Sequence, residues 1–229
     1  MSDHYYNQME ESVHSATVTV GGTQLQLLPQ RAAFWQTHRI LIVADIHFGK
    51  AAAFRAQGVP VPHGTTSDNL RRLTALVDAY QAAEILFLGD FLHARAAHAP
   101  ATLAALRQWR AKQQSLQLTL VRGNHDLHAG DPPADLGITI VNEPWDIAGI
   151  SFCHHPQAAA AGYVLAGHLH PVFRLSAGSD TLRLPCFVVG THGMVLPSFG
   201  AFTGGCIITP GKDKRIYVVA DDAVLRLPS

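Results

Sequence analysis

Five short apolar runs in this chain each end on side chains that can bind a metal. Arg39 to Ala44 leads into Asp45 and His47, and Glu84 to Leu88 into Gly89 and Asp90. Leu118 to Val121 leads into Gly123, Asn124, His125 and Asp126. Ile150 to Cys153 leads into His154 and His155, and Tyr163 to Ala166 into Gly167, His168 and His170. The candidate ligands Asp45, His47, Asp90, Asn124, His154, His168 and His170 mix imidazole with oxygen donors. That mixture suits Mn²⁺, Fe or Zn²⁺ better than Ca²⁺, which prefers oxygen cages. The set is too large for one ion and suits two ions with positions left open for water. Two ions ~3.5–4 Å apart can hold a bridging hydroxide and clamp a phosphoryl oxygen. Two divalent ions, two carboxylates and one hydroxide leave about +1, which attracts an anionic phosphate and stabilises its transition state.

Further residues have candidate roles around that set. Asp45 and His47 are two apart, as are His168 and His170, so on an extended backbone each pair points to one side. His125, beside Asn124, should point differently and is a candidate general acid for the leaving oxygen. Asp126 is a candidate to orient that imidazole. Either His154 or His155 can be the fourth-motif ligand; His154 is favoured because it comes first after the strand. His155 is then a neighbour or a substrate contact. Lys50, Arg55, Arg95 and Arg122 lie near the same rim and could meet a substrate phosphate. His63, His93, His98, His128 and His192 read as solvated or locally bonded, with His93 the least secure because it follows Asp90 by three positions.

The elements that must position these residues follow from pattern. Apolar runs of this length read as buried strands, and ligands collect beyond the carboxyl ends of such strands. Thr17 to Leu28 alternates around Gly21-Gly22 as a hairpin does, and Ala32 to Trp35 reads as a short strand. Thr66 to Tyr80 has a helical period through Leu70, Leu73, Leu76 and Val77, and Thr102 to Gln113 repeats it through Leu103, Leu106 and Trp109. The order from Arg39 to Val121 implies a parallel βαβ core. After Gly137, strand-like runs follow at Ile138 to Val141, Ile150 to Cys153, Tyr163 to Ala166, Val172 to Leu175, Leu182 to Val189, Cys206 to Thr209 and Ile216 to Val219. These predict a second, mixed or antiparallel sheet. The fold class is α/β: a two-sheet β-sandwich flanked by helices, four layers in the order αββα.

At 229 residues, with 48% hydrophobic and 15% charged residues, the chain fits one globular domain over 16–229. The polar, acidic residues 1–15 read as a disordered tail rather than a signal peptide. No apolar stretch approaches the ~20 residues that span a membrane. The 17 basic and 17 acidic side chains cancel, so a nucleic-acid role must rest on a local patch. Cys153, Cys186 and Cys206 form no CxxC pair and sit in apolar stretches, which predicts buried reduced thiols and a cytoplasmic location. Gly49-Lys50-Ala51 lacks the rest of a P-loop, and no HExxH or GxSxG is present, so protease and serine-hydrolase readings fail.

The five motifs together, in this order, resemble those of the calcineurin-like metallophosphoesterases. The resemblance implies that one metal takes Asp45, His47, Asp90 and His170, and the other Asp90, Asn124, His154 and His168. It also implies that Asp90 bridges and that His125 serves the leaving group. Ala44 to Lys50, Leu184 to Phe187 and Leu196 to Gly205 are similar to one bacterial branch, the ligase-associated DNA damage response metallophosphoesterases. That branch implies a Mn²⁺-dependent phosphodiesterase or nuclease acting on single-stranded or damaged DNA, in association with a repair ligase or helicase. Phe199 or Phe202 in the last stretch could offer a stacking face for a base, or be buried aromatics of a turn-rich connection. Two other readings stand beside the nuclease: hydrolysis of a small phosphoester or nucleotide, and a weakly catalytic metal-binding scaffold in a repair complex.

Overall fold

The computed structural model describes residues 14–56, 58–61, 64–177, 180–201 and 203–228. The first sheet has seven strands in sequence order: β1 (Ala16–Val20), β2 (Thr23–Leu28), β3 (Ala32–Trp35), β4 (Ile40–Ala44), β5 (Glu84–Leu88), β6 (Gln117–Val121) and β7 (Thr139–Val141). The first four pair antiparallel and the β4–β5–β6–β7 pairs are parallel. Parallel pairing requires crossovers, which α2 (Thr65–Tyr80) and α3 (Pro100–Lys112) supply. The helices α1 (Lys50–Ala56) and α4 (Asn124–Ala129) follow the ends of β4 and β6.

Strand β4 shows why the sequence reads as continuous apolar runs. Leu41 and Val43 face one core with Leu73, Leu76 and Leu106 of the helices. Ile40, Ile42 and Ala44 face the other core with Phe152, Leu165, Phe187 and Met194 of the second sheet. A strand buried on both faces has no polar alternation.

The second sheet holds eight strands: β8 (Trp145–Ile147), β9 (Ile150–Phe152), β10 (Tyr163–Ala166), β11 (Val172–Ala177), β12 (Asp180–Gly190), β13 (Gly193–Val195), β14 (Lys214–Ala220) and β15 (Ala223–Arg226). It is mixed, with β9–β10 and β10–β13 parallel. Two sheets face to face with flanking helices is the expected α/β architecture. The helical cover lies on the first sheet. Around Cys186, Ile216 and Val218 the outer face of the second is covered by Phe173, Leu184, Ile208 and Leu227, so that layer is strand and loop.

Some expectations change. The run at Ile138 to Val141 is expected in the second sheet, yet β7 pairs with β6 and extends the first. Cys206 to Thr209 is no strand; Ile207 makes only an isolated bridge to Val172, and Pro210 cannot continue a ladder. Cys206 is exposed, against the expectation of a buried thiol, whereas Cys153 and Cys186 are buried and unpaired. Of the expected tail, residues 1–13 lie outside the described residues, and His14 bridges to Ala223. No described helix is long and apolar enough to cross a membrane.

Candidate metal centre

The parallel strands β4, β5 and β6 end at one rim, and β9 and β10 bring their ends to it from the second sheet. Phe199 N–H donates to Ala44 O (2.8 Å) and Leu196 N–H to Ala166 O (2.8 Å), which tie the two sheets together there. Ser198 Oγ donates to Asp45 O at 2.8 Å, fixing the backbone of the first candidate ligand.

Two groups of donor atoms converge at the rim. In the first, ligand atoms of Asp45, His47, Asp90 and His170 lie within 4.8 Å of one another. His170 Nε2 is 3.5 Å from Asp45 Oδ1, and His47 Nε2 is 3.7 Å from Asp90 Oδ2. Asp45 Oδ1, both His47 nitrogens and His170 Nε2 are buried without a hydrogen-bond partner. Orphaned buried polar atoms are costly, and a cation placed among these would satisfy them. In the second group, His154 Nε2 lies 2.8 Å from Asn124 Oδ1, 3.0 Å from His168 Nδ1 and 3.6 Å from Asp90 Oδ1. Asp90 thus offers one oxygen to each group. Both donor sets fit a divalent ion of the Mn, Fe or Zn kind.

The electrostatics suit ligation. Burial pushes His154 down to about 4, against the pull of Asp45. Burial also lowers His47, aided by Lys50 and neighbouring imidazoles. Both rings are therefore neutral at pH 7, the form that binds metal. Burial raises the Asp90 carboxyl, although the His125 N–H, at 2.9 Å from Oδ1, favours its charge.

The backbone explains both the motifs and one departure from expectation. Asp45, His47, Asp90, His168 and His170 all have left-handed φ, between 46° and 68°. The pairs at i and i+2 are expected to share a side on extended backbone, but they sit on loop residues in a sparsely populated conformation; Asp45 and His47 reach one group, whereas His168 and His170 divide between the two. The glycines of two motifs are required by contact. A Cβ on Gly89 would overlap His154 Nδ1, and one on Gly167 would lie 2.5 Å from Asp45 Oδ2.

His125 Nδ1 lies 2.8 Å from His93 O. A carbonyl only accepts, so Nδ1 carries the proton, and Nε2 faces Asp90 Oδ2 at 4.0 Å with 40% of the side chain exposed. Asp126 does not orient this ring. It is buried, and its carboxylate accepts Phe91 N–H (2.9 Å), Leu92 N–H (3.3 Å) and Gly123 N–H (2.9 Å). As the third residue of α4 it caps that helix and braces the loop after Asp90. Burial raises it to about 6.

The basic candidates divide. Arg122 is taken by Asp131 in a two-point pair (2.8 and 2.7 Å) and by Asn142 (2.9 Å), so its fork is not offered to a substrate. Lys50 sits 5.8 Å over the Phe54 ring and close enough to feel Asp45 and Asp90. Phe199 is fully buried under the Arg72 guanidinium at 3.9 Å, so it cannot stack on a base; Phe202 and His63 lie outside the described residues.

His154 Nε2 meets Asn124 Oδ1 and His168 Nδ1 directly, whereas His155, whose ring nitrogen lies within 4.8 Å of those of His154 and His168, is also engaged by Glu143. His155 Nδ1 lies 2.6 Å from Glu143 Oε1, and Glu143 Oε2 accepts the N–H groups of His154 (2.8 Å) and His155 (2.9 Å). Sequence reasoning missed Glu143, which holds the turn that carries His154. The signal available was its place just after β7, the same strand-end position as the ligands. It also underrated His93, which stacks on His125 (5.2 Å between centroids, 23° between planes) and meets the edge of His47 (5.3 Å). Burial lowers His93 to about 4.

Comparison with known proteins bears on this geometry. Residues 38–188 match the family model for the Calcineurin-like phosphoesterase. The crystal structure of Pseudomonas putida nuclease MPE is similar at 43% identity and a TM-score of 0.84, over 93% of this chain and 100% of that one. Yfce, a phosphoesterase from E. coli, is similar at 15% identity and a TM-score of 0.40, over 80% of this chain and 88% of that one. No curated protein matches the chain.

Proposed function

Because the chain belongs to the calcineurin-like phosphoesterase family, we propose that it is a dinuclear metal-dependent phosphodiesterase. In this reading it cleaves nucleic-acid strands in DNA repair, with Mn²⁺ as the preferred ion. The family uses divalent metals, and the clustered His and Asp groups fit such ions. The observation that carries the reading is Asp90, whose two oxygens serve two donor groups at once. Asp45, His47, Asp90 and His170 would hold one ion, and Asp90, Asn124, His154 and His168 the other. Bound there, the ions supply Lewis acidity toward the phosphoryl oxygens and an acidified water as nucleophile.

The chain's own residues do the rest. His125, anchored through Nδ1–H on His93 O, presents Nε2 to the centre and gives its proton to the leaving oxygen. Asp126 keeps the loop after Asp90 in place. The nuclease reading draws on the 43% identical neighbour, described as a nuclease, and on the resemblance to the repair-associated branch. The unpaired, buried Cys153 and Cys186 fit a reducing cytoplasm.

A small phosphoester is the second reading, favoured by a net charge of zero. The test is turnover by Mn²⁺-loaded protein on a chromogenic phosphodiester, the matching monoester and an oligonucleotide. Diester and oligonucleotide cleavage, falling with salt, supports the proposal. Cleavage of the monoester alone refutes it in favour of a small-molecule phosphatase.

A further inference from the structure

A chain without net charge needs a local cationic patch to hold a polynucleotide. One lies beside the candidate metal centre. A cavity of about 270 Å³ is lined by His170, Arg31, Arg183, Ser198 and Thr203, so it shares a wall with the first donor group.

Its two arginines are poorly satisfied. Arg31 sits in the turn between β2 and β3 at φ 64, a conformation that favours glycine. Its guanidinium makes a long bond from Nη1 to Ser198 O, 3.5 Å, which among the described residues leaves most of its five donors without a partner. Arg183 donates Nη2–H to Gly205 O at 3.1 Å. Among the described residues the arginine ion pairs are those of Arg71, Arg107 and Arg122, so neither has a carboxylate partner. Arg174 stands directly opposite Arg183 in the β11–β12 register, a like-charge pairing that is unfavourable unless an anion joins it. Arg72, close enough to Arg31 to feel its charge, is already bound to Phe199 O (2.9 Å) and Gln30 O (2.6 Å). Guanidinium forks match phosphate oxygens in geometry as well as charge.

We propose that Arg31 and Arg183 form a second anion subsite, which binds the phosphate next to the scissile one in a polynucleotide strand. This rests on the phosphodiesterase reading. It makes the site select chains over esters with a single phosphate, which cannot reach the metal centre and the cavity together.

The test compares Arg31→Gln, Arg183→Gln and the double variant with wild type, and uses exposed Arg226→Gln on β15 as the charge-loss control. Substrates are bis(p-nitrophenyl) phosphate and a short oligothymidylate. The double variant is expected to raise KM for the oligothymidylate ~10–100-fold, with kcat and the single-phosphate diester unchanged. The salt slope should fall by ~0.7 for each of the two arginines replaced. Anisotropy of fluorescein-labelled oligothymidylate in chelator reads binding without turnover, and should weaken in the double variant but not in Arg226→Gln. Unchanged oligothymidylate KM and anisotropy in Arg183→Gln and the double variant would overturn the subsite, as would an equal loss on both substrates. If wild type cleaves neither substrate, the phosphodiesterase reading fails, and the anisotropy still decides the subsite.

Discussion

Replacing Glu143 by alanine removes three bonds from the turn that carries His154. Two go to the backbone N–H groups of His154 and His155 at 2.8 and 2.9 Å, and one to the His155 ring at 2.6 Å. Each bond to a charged partner is worth ~1.5–3 kcal/mol when buried. The Glu143 side chain is 25% exposed, which lowers each to about 1 kcal/mol. The loss is thus ~3 kcal/mol, part of it taken up by water entering the turn. If about half reaches the placement of His154, one ion of the pair binds ~10-fold more weakly; full transmission gives ~100-fold. The donors of the other group, Asp45, His47 and His170, make no hydrogen bond with Glu143. Calorimetric titration of metal-free protein with Mn²⁺ should show two sites in wild type and, in Glu143→Ala, one unchanged and one weakened. Two unchanged sites, or equal weakening of both, would show that Glu143 does not place His154 for one ion alone.

Two further outcomes follow from the same geometry. His125→Ala should keep its metal content, since that ring stands outside the two donor sets, yet lose ~10²–10⁴ in turnover; loss of metal would reassign His125 as a ligand. In metal-free protein, burial holds His154 at about 4 against 6.5 when unfolded. A base lowered on folding contributes stability above about 6.5, lost as pH falls toward 4, because the unfolded chain takes up the proton first. That difference corresponds to ~3 kcal/mol. Melting temperatures in chelator should drop over this interval, and drop less in His154→Gln.

Much of the centre is legible in the sequence because strands β4, β5 and β6 are buried on both faces. Their unbroken apolar runs mark the strand ends, and parallel strands collect chemistry there. What escapes has physical causes. Strands β8 and β13 have three residues each, too short for a period. Asp126 is expected to serve its neighbour His125, but the third position of a helix turns a carboxylate toward the N-terminal N–H groups. The spacing of Asp45 and His47 suggests a shared side on extended backbone, whereas both adopt left-handed φ. Glu143 acts on residues eleven and twelve positions away, a pairing set by the short β8–β9 hairpin, whose register places Trp145 opposite Phe152 and so carries Glu143 to His154. Arg31 and Arg183 are far apart in sequence, and only the fold brings them to the wall of one cavity.

The proposed mechanism turns on Asp90 joining two ions in one centre. The sharpest check is the stoichiometry of bound Mn²⁺ in wild type and Asp90→Asn, measured by elemental analysis after titration and read beside diester turnover. Two ions per chain in wild type, with loss of at least one and of turnover in the variant, is the expected result. Two ions and normal turnover in Asp90→Asn would rule out Asp90 as the bridge.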